Sequence, residues 1–400
     1  MPGAIVISEH IRGLAVIRSL ARRRIPVVNL APAGDLLSRA SRYTQRTLKW
    51  PGGDDSRQLE YLLTLADEHG LQGWTLFVSN DETAAFCARQ HAHLRHQFRL
   101  TVPPWDALRW AYDKRLTARI AEDAGIDQPQ TFVPRTRDDL SLLPLTFPVV
   151  IKPAFKKQIN RFTHDKAWRA DDRQTLRSRY DEACTYVDPE VVMVQELIPG
   201  AGDTQFSFAA LCQSGRCIAT VTARRTRQYP IDFGHSSSFV ETIDHPEVEQ
   251  AARRLLAAMN YTGLAEVEFK YDARDGRYKL LEVNPRAWTW HALCRRAGVD
   301  FPYLLWQAAH GARVEECRGR PGIAWVRTTT DLVAAFGEIR RGRLTIADYA
   351  RSLRKPLEFA TFAIDDPLPG LLDLFSSFGS RFRRSRSDDE PSLKLEFGQP

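Results

Sequence analysis

Glu282 and Asn284 stand two residues apart in Leu280-Leu281-Glu282-Val283-Asn284-Pro285-Arg286. On a strand that spacing turns both oxygen ligands to one face. Pro285 then ends the strand, with Arg286 just beyond it. Upstream, Gly263 to Tyr271 reads as a second strand carrying Glu266 and Glu268. The link Ala273 to Arg277 reads as a hairpin turn, because its Asp-Gly pair tolerates positive φ. Folded so, the hairpin gathers Glu268, Glu282 and Asn284, with Glu266 a competitor on the same face. Hard oxygen ligands without His or Cys suit Mg²⁺, which keeps water and phosphate ligands as well. The plain alternative is a hairpin whose acids are only solvated.

The elements that must position this hairpin follow from periodicity. Ala4 to Ser8 is an apolar strand, Glu9 to Gly13 a loop, Leu14 to Arg23 a helix and Ile25 to Leu30 a second strand, which is a βαβ beginning. The first turn has one glycine, so a dinucleotide fingerprint is absent. Leu76 to Ser79 delivers Asn80-Asp81-Glu82 at its carboxyl end, where ligands of open α/β sheets bind. Helix capping is the preferred reading of Asp81 and Glu82. Pro104 to Gly125 is a helical stretch containing Lys114. Phe147 to Pro153 is an apolar strand that ends in Lys152, an odd residue for a core. Val191 to Ile198 is a strand leaving through Pro199-Gly200. The basic stretch Thr222 to Gln228 leads into a small-residue loop, and Arg286 to Ala297 looks helical. The fold class expected is α/β, with α+β character in the central part.

The chain has 400 residues, 43% apolar and 26% charged, which describes a globular chain of two or three domains. No run of eighteen apolar residues occurs, so no integral membrane segment is expected. The first residues lack the basic region of a signal peptide. The six cysteines are scattered without zinc spacing and read as reduced thiols, so the expected location is cytoplasmic. The net charge of +7 is spread out, without the stacking aromatics of single-strand binders. Nucleic acid is a minor reading, and a nucleotide triphosphate is an equally good reason for buried cations.

The motif order resembles the ATP-grasp superfamily, within it the carboxylate–amine ligases, and is most similar to D-aspartate ligase-type proteins. The resemblance rests on Asp113-Lys114, Gly125 to Pro129, Pro148 to Pro153, Gln195 to Gly200, Glu266 to Lys270 and Leu281 to Arg286. It covers residues 1 to about 310, with an echo to about 370. It implies a pre-ATP-grasp domain with an open parallel sheet at 1–104. A two-lobed ATP-grasp domain follows at 105–312, its small lobe at about 130–200 and its large lobe at about 201–312. It further implies ATP and Mg²⁺, or Mn²⁺ in its place, as cofactors. Lys114 and Lys152 then reach phosphates. Gln195, Glu196, Leu197 and Ile198 form the adenine hinge, with Glu196 accepting from N6 and the Ile198 backbone reading N1. Asp203 takes the ribose. Glu268, Glu282 and Asn284 hold the metal. Arg286 stabilises the γ-phosphate and the acyl phosphate, and Arg225 clamps a carboxylate or phosphate within a substrate-facing segment, Arg224 to Arg227 with the loop 234–238.

The implied reaction joins a small carboxylate to an amine through an acyl phosphate; a carboxylase-type enzyme and a non-catalytic ATP-binding regulator are the alternatives. A homo-oligomer is compatible with this reading. One departure is the stretch Ala154 to His164, which has no glycine where many relatives carry a glycine-rich phosphate loop. Residues 313–374 are expected to be a helical extension, and 375–400, rich in Ser, Arg, Asp and Pro, a disordered tail.

Overall fold

The first apolar runs become central strands because every residue in them is covered. Ala4–Ile7 (β1), Val27–Ala31 (β2) and Thr75–Val78 (β4) are buried throughout. With Arg46–Lys49 (β3) and Arg99–Leu100 (β5) they form a parallel sheet in the order β3-β2-β1-β4-β5. Runs of Val, Ile and Leu covered on both faces are what a parallel sheet requires. The computed structural model describes residues 2–156, 160–165, 167–231 and 236–376.

The helix after β1 spans His10–Ala21, so the expected loop at Glu9 to Gly13 is instead its first turn. Gly13 is needed there. A Cβ on it would lie 2.2 Å from Ser8 Cβ, so the helix can cross the strand end only without a side chain.

A second, antiparallel sheet has the order β6-β9-β7-β8, from Thr131–Phe132, Val192–Glu196, Val149–Pro153 and Trp168–Ala170. The third runs β14-β13-β10-β11-β12-β16-β17, from Arg277–Asn284, Gly263–Asp272, Gln205–Gln213, Arg216–Tyr229, Ser236–Thr242, Ala324–Val326 and Leu357–Phe359; Cys317–Arg318 (β15) pairs with β11. The architecture is mixed α/β, as the pattern of elements requires. Residues 313–374 are not only helical. Three short strands from them extend the third sheet, while Thr328–Arg340 and Ile346–Ser352 are helices. Strands of two or three residues leave no alternation to read in sequence. Nearly all of 375–400, from residue 377 on, lies outside the described residues.

The first and third sheets share one core. Val6, Leu14 and Ile17 pack in the same cluster as Leu211, Val221, Trp288, Trp290 and Trp325. Trp288 and Trp290 follow Arg286 in an irregular segment, since only Ala292–Arg296 of the expected helix forms. Two indoles buried to within 2% immobilise the chain just beyond Arg286.

The basic stretch Thr222 to Gln228 lies within β11 rather than leading out of it, with bulges between Arg225 and Gln228. A bulge re-aims side chains. Arg227 therefore points away from Arg225 and is buried, its guanidinium gripping Asp331 of the helix Thr328–Arg340 at 2.8 Å through Nε and through Nη2. Ser238 Oγ also donates to Asp331. Arg227 thus belongs to the packing and not to a substrate-facing segment. Asp331→Ala is expected to destabilise the fold by about 3–5 kcal/mol, because it leaves a buried arginine without its partner; urea unfolding followed by circular dichroism measures it.

Candidate active site

The hairpin β13–β14 forms, and a bulge between Glu268 and Phe269 shifts its register by one residue, which sets Glu268 opposite Glu282 and Glu266 opposite Asn284. Gly276 takes φ +73° in the turn. The turn is tightened by Asp272, which is wholly buried and accepts from Arg274 Nε at 2.8 Å and Lys279 Nζ at 2.7 Å. These two cations hold the Asp272 carboxyl far below its ordinary range.

Glu266 and Glu268 have different surroundings. Glu266 is 3% exposed, and its two oxygens accept from Trp290 Nε1 at 2.8 Å and Asn284 Nδ2 at 3.1 Å. Burial, with Glu268 adding to it, pushes its carboxyl up to about 8. Glu268 accepts from Asn284 Nδ2 at 3.0 Å and from Arg225 Nη2 at 3.3 Å. Arg225 reaches it from β11 across the intervening β10.

Cations close over the carboxylates from other elements. Lys114 is not inside a continuous helix, as the run Pro104 to Gly125 suggested. Two helices, Trp105–Tyr112 and Lys114–Asp123, meet at Asp113, whose side chain caps the second by accepting from Arg115 N. That break puts Lys114 at a helix start, its backbone N–H donating to Ala154 O at 3.0 Å and its Nζ 3.5 Å from Glu282 Oε2. Lys152, on β7, faces the same acids from the second sheet. Burial, then the nearby Lys114, lowers its ammonium to about 8 while Glu282 and Glu268 oppose that shift. It is a poorly solvated cation in a cleft between the two antiparallel sheets.

Arg286 is held from the parallel sheet. Its Nε and Nη2 donate to the two oxygens of Asp81 at 2.9 and 3.1 Å, and Nη2 also donates to Asn284 Oδ1 at 2.9 Å. Asn80 caps the helix Asp81–Arg89 by accepting from Thr83 N at 2.8 Å, so Asp81 is released for this fork. The capping expectation for Asp81 therefore fails by one residue. Asn is the better N-cap, and it stood in the sequence one position earlier. Glu9 and Arg12 follow β1, and Asp81 and Glu82 follow β4. The strand order reverses between β1 and β4, so these groups occupy the sheet's topological switch point. Arg12, bonded to Glu9, is held below its ordinary pKa by burial and by Arg286. It was hidden by reading its helical turn as a loop.

The expected adenine hinge is at the end of β9. Gln195 is buried and its Nε2 donates to Thr131 Oγ1 at 2.7 Å. The Glu196 carboxylate is already shared by Arg274 Nη2 at 2.6 Å and Lys279 at 3.8 Å. Leu197 N donates to Pro148 O, and Ile198 is buried. Asp203 is exposed on the turn Gly202–Thr204, beside Lys270, whose Nζ donates to Gly200 O at 2.9 Å. Of the glycine-free stretch, 157–159 lie outside the described residues. Its near flank is anchored by Tyr112, whose hydroxyl donates to Lys156 O and whose ring stacks on Phe155 at 6.1 Å. Its far flank is the capped turn Arg161–His164. Residues 232–235 of the expected substrate loop also lie outside the described residues.

Among the described residues no group of three His, Cys, Asp or Glu is arranged around a metal. Two carboxylates and an amide form a smaller set, which leaves positions for water and phosphate and so fits Mg²⁺. Asn284 would ligate through Oδ1 only after its amide turns over, because Nδ2 now faces the acids.

The profile of a family described as ATP-grasp in the biosynthetic pathway with Ter operon matches residues 188–331. The D-aspartate ligase of Enterococcus faecium is 23% identical over 252 residues, 59% of this chain and 59% of that protein. The carbamoyl phosphate synthase large chain, N-terminal section, of Methanopyrus kandleri is 22% identical over 176 residues, 42% of this chain and 30% of that protein. The chain thus spans less than two thirds of these relatives' length. The crystal structure of L-amino acid ligase from Bacillus licheniformis superimposes with a TM-score of 0.63 at 16% identity, covering 81% of this chain and 78% of that one.

Residues 188–331 thus match an ATP-grasp family, and the chain resembles ATP-grasp carboxylate–amine ligases.

Between β7 and the β13–β14 hairpin, Lys152 lies close enough to Glu268 and Glu282 for both to favour its charge.

Proposed function

We propose that the chain is an ATP-grasp enzyme, an ATP-dependent carboxylate–amine ligase that forms an amide or peptide-type bond and releases ADP and phosphate. The observation that carries the reading is the convergence of Lys114, Lys152, Arg225 and Arg286 on Glu268 and Glu282, with the cations drawn from four separate elements. Lys114 and Lys152 bind the triphosphate as point charges. Glu268 and Glu282 hold Mg²⁺, with Asn284 after its amide turns. Glu266, buried and already bonded on both oxygens, is left out of the metal set. Bound there, the metal neutralises phosphate charge as it develops. Adenine is assigned to the backbone of Glu196 to Ile198, because the Glu196 carboxylate is committed to Arg274 and Lys279. Asp203, exposed beside the hinge, is assigned to the ribose.

The acceptor carboxylate attacks the γ-phosphorus, the bond to the bridging oxygen of ADP breaks, and an acyl phosphate forms. The amine then attacks the acyl carbon and phosphate leaves, the amine proton passing to solvent or to a basic group at the site. Arg286, fixed by Asp81, stabilises charge on both the transferring phosphoryl group and the acyl phosphate. Arg225 orients the acceptor carboxylate. Positioning and charge neutralisation suffice for phosphoryl transfer, so no protein nucleophile is needed.

Two results follow for binding. Mg·ATP at a hundred times its Kd is expected to stabilise the chain by about 2.7 kcal/mol, read as a raised melting temperature; no shift at millimolar nucleotide would contradict the assignment. Lys152 must be charged to hold phosphate, and its ammonium lies at about 8 in the free protein. Affinity should therefore be flat below that pH and fall about tenfold per unit above it, the bound state taking up the proton. Titration calorimetry at several pH values checks this, and Lys152→Arg should abolish the fall.

A further inference from the structure

We propose that Cys212 and Cys217 form a reversible redox site, a dithiol that peroxides oxidise to a disulfide within the chain. This goes beyond the ligase reading and does not rest on it. The two residues pair directly across the β10–β11 hairpin, and their sulfurs are 3.4 Å apart. Directly paired residues of an antiparallel ladder have Cα atoms about 4.5–5.5 Å apart, within the span a disulfide bridges. The sulfurs must close to about 2.05 Å, which small side-chain rotations supply without a shift of the strands.

The turn that joins the strands fixes this geometry. Ser214 and Gly215 take φ +46° and +79°, as a two-residue hairpin turn requires. Ser214 N donates to Thr262 Oγ1 at 2.9 Å and Gly215 N to Tyr261 O at 2.8 Å. A Cβ on Gly215 would lie 3.0 Å from Ala257 Cα, so the turn lies directly on the helix Pro246–Ala258. From that helix Arg253 donates to Cys217 O at 3.4 Å. Both thiols are thus held in place before any reaction.

The pair is asymmetric, as attack and resolution require. Cys217 is 7% exposed and follows the exposed Arg216, whereas Cys212 is fully buried. The hydrogen bond from Cys212 is the largest influence on the Cys217 thiol and lowers it; Arg253 adds to this, while burial and Glu249 oppose it. The same contact, with burial, pushes Cys212 up. Burial pushes up the thiols of Cys87, Cys184, Cys294 and Cys317. Cys217 is therefore the nucleophile among them. Its thiolate attacks one oxygen of hydrogen peroxide, the O–O bond breaks, and the hydroxide leaves as water with the proton that Cys217 gave up. The sulfenic acid so formed lies against Cys212, whose sulfur attacks it. The S–O bond breaks, and the departing hydroxide takes the Cys212 proton as a second water. Two electrons pass from the sulfurs to the peroxide, and a small dithiol returns them.

The test treats the 400-residue chain with hydrogen peroxide in native buffer, alkylates it in denaturant and digests it with trypsin, which cleaves after Arg216 between the two cysteines. The expected result is a peptide pair joined through Cys212 and Cys217, two hydrogens lighter than the separate peptides and parted by dithiothreitol. Cys212→Ala should leave Cys217 as a sulfenic acid that dimedone traps. Cys217→Ala should slow the oxidation of Cys212 by at least about a hundredfold, because a thiol raised by burial is a poor nucleophile. In the parent chain, full alkylation of both cysteines after peroxide, a bridge to Cys184 or Cys317, or a bridge that forms only in urea would each overturn the proposal. So would oxidation of Cys212 at the parent rate in Cys217→Ala.

Discussion

Glu282→Gln is expected to abolish ADP formation, by about 10³-fold or more, while leaving the melting temperature near that of the parent. The residue is the partly exposed member of a cross-strand pair, so the amide fits the space and breaks no core packing. What it removes is a charge that faces Lys114 at 3.5 Å and helps hold Lys152 protonated. Two lysines and a metal then have only Glu268 to organise them. Phosphate release by the variant in the presence of an active substrate pair is the measurement. Activity equal to the parent would remove Glu282 from the metal site. A matched loss for Glu268→Gln, with little for Glu266→Gln beyond what Asn284 suffers by losing its partner, would separate the two candidates.

Arg286→Gln should lower kcat by about 10²–10³-fold with little change in Mg·ATP affinity. The arginine sits where the parallel sheet meets the hairpin, and its fork onto Asp81 fixes the guanidinium plane. Burial works against its charge, yet Asp81 and the hairpin acids outweigh that and raise its pKa. Asp81→Asn keeps one hydrogen-bonding oxygen but loses the second acceptor and the charge. The arginine is then free to swing, and about 10²-fold in kcat is the expected cost of the misplacement. The split between kcat and KM is informative. An arginine that mainly binds nucleotide would raise KM for ATP instead, and steady-state kinetics of the two variants distinguishes the roles.

Much of this arrangement was legible in the chain. Alternation and the Asp-Gly turn made the hairpin legible, but the turn's register alone would set Glu268 opposite Leu281; a bulge beside Glu268, which the sequence does not signal, brings Glu268, Glu282 and Asn284 to one face. Lys152 stood out because a lysine at the end of an apolar strand is costly without an anion. The misreadings have specific physical causes. Asp113 interrupts a run whose composition stays helical, so the break that frees Lys114 was invisible. A bulge in β11 sends Arg227 to Asp331, more than a hundred residues away in sequence. Asp81 and Arg12 meet Arg286 only through packing between the first and third sheets. The strands within 313–374 are too short to carry a period, and Asp365 and Asp366 give no local hint that they anchor to the first helix.

The central claim is that ATP cleavage is coupled to joining a carboxylate and an amine. It is tested most directly by presenting pairs of ¹⁸O-labelled carboxylates and amines with Mg·ATP and following ADP, product mass and the isotope in phosphate. The account predicts a pair that yields ADP and amide in equal amounts, with one labelled oxygen carried into phosphate. ADP formed without a condensation product, or formed only with bicarbonate to give a carboxylated product, would contradict it.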